Sequence, residues 1–383
     1  MPHATRWLPL FALALSPLAF ADQAASDPRI ERVLADLART RPISMARLSP
    51  DGQRLAWVVG TKGKPMVEVA KADGSDAHPV ASIQAGSCSQ TDIAWAPDSR
   101  HLAFLSDCGN RDKHKDLFVA DVTDAKGLKK LSVLKGPAQD LNWAPNGREL
   151  GFLYVENGTR RSSALEAAKP AEGEIGVDGV EVQRVAAVAA EGGTPRLLTP
   201  AGSHVYEFAW SPDAQRLAFV AAPPPGDNNW WIAKLLVQDA QPGAAARTVV
   251  DPATTRGALH GLQLALPSWS PDGQRIAFIG GLMSDQGATG GDIYSVPATG
   301  GEPANLTPGI HVTPVWLTWK GGARMLVSQL AGGQSQVAEY TVTAAAATQD
   351  RVLFTLPATI GDGGAAMSLS LSDDQARETL RRS

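Results

Sequence analysis

Trp210-Ser211-Pro212-Asp213-Ala214-Gln215-Arg216-Leu217-Ala218-Phe219 is a pattern that returns along most of this 383-residue chain. Four further good copies lie at residues 48–57, 95–104, 143–152 and 269–278, and weak copies follow at 316–327 and 368–380. The motif prolines of the five good copies, Pro50, Pro97, Pro145, Pro212 and Pro271, are spaced by 47, 48, 67 and 59 residues. A period in this range is typical of the blades of a β-propeller. The sequence therefore predicts an all-β propeller.

Each copy has the composition of a β-hairpin. An aromatic residue ends the first strand, Pro and Asp form the turn with a glycine at the positive-φ position, and Leu-Ala-Phe begins the return strand. Ser99 and Ala214 replace the glycine, which we expect to cost on the order of 1 kcal/mol each if the turn keeps its φ. The motif Trp and Phe side chains are expected to fill the core between neighbouring blades.

The first 21 residues have the features of a secretory signal peptide. Arg6 precedes an apolar run, and Ala19 and Ala21 supply the small residues that a signal peptidase reads. A membrane anchor is the alternative, but the run is short and Pro9 interrupts it. We therefore expect cleavage before Asp22, no membrane span afterwards, and a periplasmic or secreted bacterial protein.

Residues 22–43 are expected to form a separate helical segment before the propeller. Asp27 can cap a helix that has Pro28 at its first position, and Pro42 stops it. One face of this helix carries Ile30, Val33, Leu34 and Leu37. Such a face predicts packing against the propeller rim or, in a longer protein, against a partner domain.

Residues 44–383 predict six four-stranded blades and an incomplete seventh. A polar insertion at about 156–178 explains the spacing of 67 residues, and we expect the third strands of blades three and four at 180–185 and 231–237. In the last repeat, residues 372–374 enter a turn, but the tail 375–383 contains no Leu-Ala-Phe strand. The sequence thus predicts a propeller truncated from a longer reading frame, because the first and last blades must meet to seal the ring.

Two cysteines flank the second hairpin. Cys88 and Cys108 have numbers that sum to 196, close to the 197 expected for residues facing each other across a turn at 98–99. Because an exported chain meets an oxidising compartment, we predict a disulfide between them. Free buried thiols are the alternative, and a zinc site with His101 or His114 lacks the paired Cys-x-x-Cys spacing.

Composition and motifs exclude several classes of function. The formal charge of −4 gives no indication of nucleic acid or an anionic membrane as a partner. No Gly-x-Ser-x-Gly, Walker or Rossmann motif and no His-x-x-x-His pair occurs, and the seven His residues are scattered. We therefore assign no catalytic, cofactor-binding or metal-binding residue. The insertion and the stretches 223–231 and 260–266 are candidate binding loops.

The repeats, the strand Asp292–Val296 and the turn Gly300–Pro303 resemble the WD40-like propeller of TolB-type proteins. They also resemble the N-terminal propeller of secreted bacterial peptidases of the prolyl oligopeptidase family, over residues 45 to about 372. In that family an α/β-hydrolase domain carrying Ser, Asp and His follows the propeller, and the ring restricts access to small peptides. This sequence ends before any such domain, so no catalytic residue is carried over. Acidic residues of such propellers can hold a peptide's amino terminus, but no local motif assigns that role to Glu207 or another position.

Two features favour the peptidase resemblance, namely an exported chain with a helix before blade one and seven repeat starts where a TolB-type ring has six blades. The resemblance then implies the non-catalytic, substrate-gating or interaction portion of a dipeptidyl or acylaminoacyl serine peptidase, with no hydrolysis of its own. Its partner would be a peptide substrate or another protein. The alternative is a self-sufficient TolB-like periplasmic propeller that acts as a protein-interaction scaffold.

Overall fold

The computed structural model describes residues 27–37, 39–60, 64–80, 88–110, 114–124, 127–158, 180–283, 289–358, 370–372 and 378–379. The signal peptide, most of the insertion at 156–178 and the turn residues 373–374 lie outside these ranges. The chain divides into two units, residues 1–41 and 42–383.

The first unit contains helix α1, Pro28–Leu37. The Asp27 Oδ1 atom accepts a hydrogen bond from the Arg29 N–H (2.8 Å), which is the geometry of an N-cap. The four apolar side chains of the face described above are each more than half exposed.

The second unit contains six blades, each a four-stranded antiparallel sheet whose strands follow chain order. Blade one has β1 Ile43–Leu48, β2 Arg54–Val59, β3 Met66–Lys71 and β4 His78–Pro79; blade two has β5 Gln90–Trp95, β6 His101–Ser106, β7 Asp116–Asp121 and β8 Leu128–Ser132; blade three has β9 Ala138–Trp143, β10 Glu149–Tyr154, β11 Arg184–Ala189 and β12 Arg196–Leu197. Blade four has β13 His204–Trp210, β14 Arg216–Ala222, β15 Lys234–Asp239 and β16 Arg247–Val250; blade five has β17 Gln263–Trp269, β18 Arg275–Met283, β19 Thr289–Pro297 and β20 Ala304–Asn305; blade six has β21 Thr313–Trp319, β22 Arg324–Ala331, β23 Gln334–Val342 and β24 Ala347–Leu356. The propeller predicted from the sequence is confirmed.

Two third strands begin later than the sequence predicts. Strand β11 begins at Arg184, and β15 begins at Lys234 because the chain first forms helical turns over Gly226–Asn229 and Trp230–Ile232. Apolar periodicity cannot separate a short strand from such a turn, so Trp231 and Ile232 were assigned wrongly to the strand.

The motif tryptophans join neighbouring blades in the same way at five successive interfaces. Each indole N–H donates to the carbonyl oxygen of the residue before the last residue of the preceding inner strand, at 3.1 to 3.3 Å. The pairs are Trp95 with Arg47, Trp143 with Ala94, Trp210 with Asn142, Trp269 with Ala209 and Trp319 with Ser268. Apolar side chains of adjoining blades pack around these contacts.

A short hairpin lies between blades six and one. Strand β25, Ser370–Leu371, pairs with β26, Glu378–Thr379. The Ser370 Oγ atom accepts a hydrogen bond from the Leu48 N–H (2.9 Å), and Leu371 packs against apolar residues of blade six. These residues therefore lie where the inner strand of a seventh blade begins.

Candidate functional site

The first strand of each blade lies on the inside of the ring. Strand β1 contacts β5, β5 contacts β9, β13 contacts β17, and β17 contacts β21, whereas the later strands of each blade lie further out. Every one of the six inner strands contains a β-bulge. Bulges of this kind redirect a side chain locally and are common beside functional sites.

The residues three positions before the last residue of each inner strand form a set that we call the inner ring. They are Met45, Asp92, Asp140, Glu207, Leu266 and Trp316. In blades one, two, three and five this residue is at the bulge and has φ between 50° and 56°. Backbone with positive φ is unfavourable for residues other than glycine, and it persists where the surrounding structure enforces it.

The inner ring is divided by charge. Blades two, three and four contribute Asp92, Asp140 and Glu207, which we call the acidic arc. The remaining blades contribute Leu266, Trp316 and Met45, which we call the apolar arc, and all three are partly exposed. The inner strands therefore carry acidic residues at this position on one side of the ring and apolar residues on the other.

Hydrogen bonds connect the acidic arc to neighbouring blades. The Asp92 Oδ1 atom accepts a hydrogen bond from the Asp140 N–H (3.1 Å), and a Glu207 carboxylate oxygen accepts one from the Leu266 N–H. Asp92 is buried, whereas Asp140 is exposed. In these two cases a backbone N–H at the bulge of the following blade fixes the position of the carboxylate.

The Glu207 carboxyl group has an unusual environment. The pKa of the Glu207 carboxyl group is raised to about 7 in total, because burial raises it, the hydrogen bond from Leu266 lowers it by less, and the Asp140 charge raises it slightly. The Glu207 side chain as a whole is partly exposed, so the burial that raises the pKa is mainly that of its carboxylate end. Glu207 therefore changes charge near neutral pH.

A cavity of about 540 Å³ lies at the turn end of the inner strands of blades one to three. Its walls are formed by Arg47, Leu48, Pro50, Ile93, Ala94, Trp95, Pro97, Leu141, Asn142, Trp143, Pro145 and Ser370. Ile93 and Leu141 directly follow Asp92 and Asp140 in their strands, so the cavity adjoins the acidic arc.

The sequence located this site only in part. It named Glu207 without a role, and the stretch 260–266 contains Leu266 of the inner ring. Asp92 and Asp140 were missed, although an acidic residue three positions before the motif Trp in three successive repeats was a usable signal. The stretch 223–231 lies against blade four, where the Tyr206 hydroxyl donates to the Gly226 carbonyl oxygen (2.6 Å).

The described residues include no group of three or more His, Cys, Asp or Glu residues placed to hold a metal ion. In the same residues, no helix is long and apolar enough to cross a membrane. The Cα atoms of Cys88 and Cys108 lie 5.2 Å apart, within the range that a disulfide spans. Their oxidation state in the protein stays a prediction.

Comparison with known proteins finds likeness in structure. No family model matches the chain, and no curated protein sequence matches it. Among solved structures, prolyl oligopeptidase B from Galerina marginata matches 93% of this chain and 49% of its own at 12% identity and a TM-score of 0.62. A puromycin-hydrolyzing peptidase of Mycobacterium tuberculosis matches 90% of this chain and 54% of its own at 17% identity and a TM-score of 0.57.

A third structure is a propeller by itself. The β-propeller domain of the Trilobed protease from Pyrococcus furiosus matches 84% of this chain and 85% of its own at 14% identity and a TM-score of 0.50. The chain spans about half the length of the two peptidases above. In fold, the chain is similar to the β-propellers of prolyl oligopeptidase-type peptidases.

Proposed function

We propose that this chain is the non-catalytic propeller portion of a prolyl oligopeptidase-like serine peptidase, where it binds peptides and restricts their access to a hydrolase domain. The observation that carries the proposal is the structural match of nine tenths of the chain to about half of each peptidase. The matched lengths leave room in those proteins for a second domain. The proposed cellular location, periplasmic or outside the cell, rests on the signal-like sequence of residues 1–21.

The inner ring supports binding of a peptide. A peptide with a free amino terminus carries an ammonium group, which the carboxylates of the acidic arc attract. The apolar arc offers partly exposed Leu266, Trp316 and Met45 to an apolar side chain of the same peptide. The acidic arc therefore selects for a free amino terminus, and the apolar arc contributes affinity.

A binding measurement tests the role of the acidic arc. Titration calorimetry would compare one tripeptide with a free amino terminus with its N-acetylated form, on the unmodified chain and on the variants Asp92→Asn, Asp140→Asn and Glu207→Gln. We expect loss of the ammonium or of one carboxylate to weaken binding by about tenfold, because charge-assisted hydrogen bonds are the strong ones. Glu302→Gln, at an exposed turn, is the matched control and should bind normally. Equal affinity for the free and acetylated peptides contradicts this role.

The pH dependence gives a second readout. Because the pKa of Glu207 is raised to about 7, its carboxylate becomes charged as the pH rises from 5 to 8. Binding of the ammonium form should therefore strengthen over this range, and Glu207→Gln should remove most of that change. A pH profile that is the same in both proteins would exclude Glu207 from the binding site.

The proposal that this chain is part of a serine peptidase is tested separately. The genomic DNA downstream of the Ser383 codon should encode a Gly-x-Ser-x-Gly motif within a few hundred codons. A clean intergenic region there would contradict the peptidase proposal and favour the self-sufficient scaffold. The chain by itself should not react with a fluorophosphonate probe, because its sequence contains no nucleophile elbow.

A further inference from the structure

A second cavity, of about 300 Å³, lies at the end of blade five opposite the motif turns, beside the start of β21. Three of its wall residues are partly exposed aliphatic side chains, Leu262, Ile310 and Val312. Residues 280 and 281, both glycines, form a wall without side chains. Among the described residues that line the cavity, Asp292 is the only charged one, and it is partly exposed. The volume is at the lower end of the range of small-ligand sites.

Asp292 has a structural counterpart in blade two, Asp116. Each lies in the third strand of its blade, opposite the second residue after the motif Phe. Two residues further on, Tyr294 and Phe118 stack on the motif Phe of their own blades, with ring centroids 5.7 and 5.8 Å apart. The two carboxylates therefore occupy equivalent positions of the repeat.

In blade two this carboxylate has a cation as its partner. Lys130, which pairs with Phe118 from the fourth strand, donates from its ammonium group to the Asp116 Oδ2 atom (2.7 Å). The same ammonium group lies 5.3 Å from the centre of the Phe118 ring. Asp116 is 1% exposed, and a charge buried to this degree is costly without an opposite charge beside it. Blade two thus supplies its own cation.

In blade five the cation is replaced by an amide. Asn305 pairs with Tyr294 from the fourth strand and donates its Nδ2–H to the Asp292 Oδ2 atom (2.7 Å). The Thr307 hydroxyl lies 3.5 Å from the other carboxylate oxygen. Neither group is charged, so Asp292 has no cationic partner among the described residues. An ionised carboxylate has about four acceptor positions, which leaves Asp292 able to accept further hydrogen bonds.

We propose that this cavity binds a primary ammonium group carried by an aliphatic chain, with Asp292 as the residue that recognises the charge. The ligand would give blade five the cation that Lys130 gives blade two. Hydrogen bonds between an ammonium group and a carboxylate are charge-assisted and strong. The aliphatic walls, Leu262, Ile310 and Val312, would contact the methylene groups of the ligand. The lysine side chain of a peptide has this chemistry, and so does a free alkylamine.

The site does not depend on the proposed peptidase role, and its first test compares two blocked peptides. N-acetyl-Ala-Lys-Ala amide and the same peptide with norleucine in place of lysine are titrated into the full chain by calorimetry. Both peptides lack a free amino terminus, so a failure of the amino-terminal role of the acidic arc would not affect this result. We expect the lysine peptide to bind about tenfold more tightly than the norleucine peptide.

Variants assign the effect to Asp292. Asp292→Asn should reduce the affinity for the lysine peptide to that for the norleucine peptide, and Asp292→Glu should retain part of the difference because it keeps the charge. Asp140→Asn should leave the difference unchanged, which separates this site from the acidic arc. Glu302→Gln, at an exposed turn of the same blade and outside the lining, is the matched control and should bind as the unmodified chain does.

The equivalence with blade two gives a second test. Asn305→Lys places a lysine where blade two has Lys130, so its ammonium group should pair with Asp292 and abolish the preference for the lysine peptide. This variant adds a cation and keeps Asp292. Thermal melts show whether each variant folds, and if Asp292→Asn does not, Asn305→Lys still decides.

The outcomes are distinct. Binding of butylamine as well as the lysine peptide identifies free alkylamines as ligands, and binding of the lysine peptide alone identifies a peptide side chain; both support the site. Equal affinity for the lysine and norleucine peptides would overturn the proposal. So would an unchanged affinity for the lysine peptide in Asp292→Asn or Asn305→Lys, or no binding of either probe at millimolar concentration.

Discussion

The interface between blades four and five and the interface between blades five and six have an arginine and a tryptophan at the same motif positions. The arginine makes different contacts at each interface. At the first, the Arg216 guanidinium lies over the Trp269 ring, 4.8 Å from its centroid, and donates to the Gly273 carbonyl oxygen (3.1 Å). At the second, the matching Arg275 donates to the Ser295 hydroxyl (2.8 Å). A cavity of about 510 Å³ lies there, lined by Arg275, Trp319 and the turn of blade six.

The turns at the two interfaces also differ. In blade five Trp269 pairs with Ile276 across the hairpin, whereas in blade six Trp319 pairs with Met325, so the turn of blade six is one residue shorter. This turn, residues 320–323, has lost Ser-Pro-Asp. Instead of a motif serine it contains Lys320, whose ammonium group donates to Glu339 (2.9 Å). The turn that faces the preceding blade's arginine therefore differs in length and composition between the two interfaces.

The largest effect should come from removing the tryptophan at each interface. Trp269 is 6% exposed and lies in the large core cluster between blades four and five, whereas Trp319 is partly exposed beside the cavity. We expect Trp269→Ala to lower the free energy of unfolding by about 3 to 5 kcal/mol and Trp319→Ala by clearly less. Urea denaturation of both variants measures this, and equal losses would mean that the cavity does not weaken the second interface.

A smaller effect is expected from removing the ion pairs that Glu339 forms with Lys320 and Arg351 in blade six. Hydrogen bonds from Arg351 and Lys320 lower the pKa of Glu339 to about 2. Since the folded-state pKa lies below the unfolded value, the ionised group stabilises the protein above about pH 4.5, and this is lost as the pH falls towards 2. Glu339→Gln should cost on the order of 1 to 3 kcal/mol at pH 7, because two cations lose their partner.

The pH profile of stability provides the control for this prediction. The difference in unfolding free energy between the unmodified chain and Glu339→Gln should shrink as the pH is lowered from 5 to 2. A difference that stays constant over that range would show that the variant acts through packing and not through charge.

The two arginines test the comparison directly. Arg216→Gln removes both the cation–π contact and the bond to Gly273, so we expect a loss of about 1 to 2 kcal/mol. Arg275→Gln removes the bond to Ser295, and we expect a loss of about 1 kcal/mol or less. Denaturation at two salt concentrations measures the loss of unfolding free energy in each variant. A larger loss in Arg275→Gln than in Arg216→Gln would contradict the expected difference between the two interfaces.

The sequence predicted the parts of this molecule that follow the repeat better than the parts that depart from it. The ten-residue motif located the first hairpin of five blades because its turn chemistry is local. Blade six was recognised only weakly, since the one-residue deletion at 320–323 removed the turn signal while the aromatic contact of Trp319 remained. The inner ring was missed because the bulges displace Asp92 and Asp140 from the alternation that a regular strand would follow, although their shared distance from the motif Trp was a usable signal.

The smallest predicted effect concerns two residues that replace the motif glycine. Ser99 and Ala214 keep the positive φ of the turn, 58° and 59°, close to the 67° to 68° of Gly52, Gly147 and Gly273. Ala214→Gly should therefore raise the free energy of unfolding by about 0.5 to 1 kcal/mol, because it relieves the strained backbone. Ser99→Gly relieves the same strain, but the Ser99 Oγ atom accepts the Asp51 N–H of blade one (2.9 Å), and that contact is lost. We expect the two effects at Ser99 to offset each other, since a hydrogen bond contributes about 1 kcal/mol. Thermal denaturation of the two variants and of Ser99→Ala, which loses the bond and keeps the strain, separates the terms; a gain at Ser99→Gly equal to that at Ala214→Gly would show that the contact between the turns of blades one and two adds nothing.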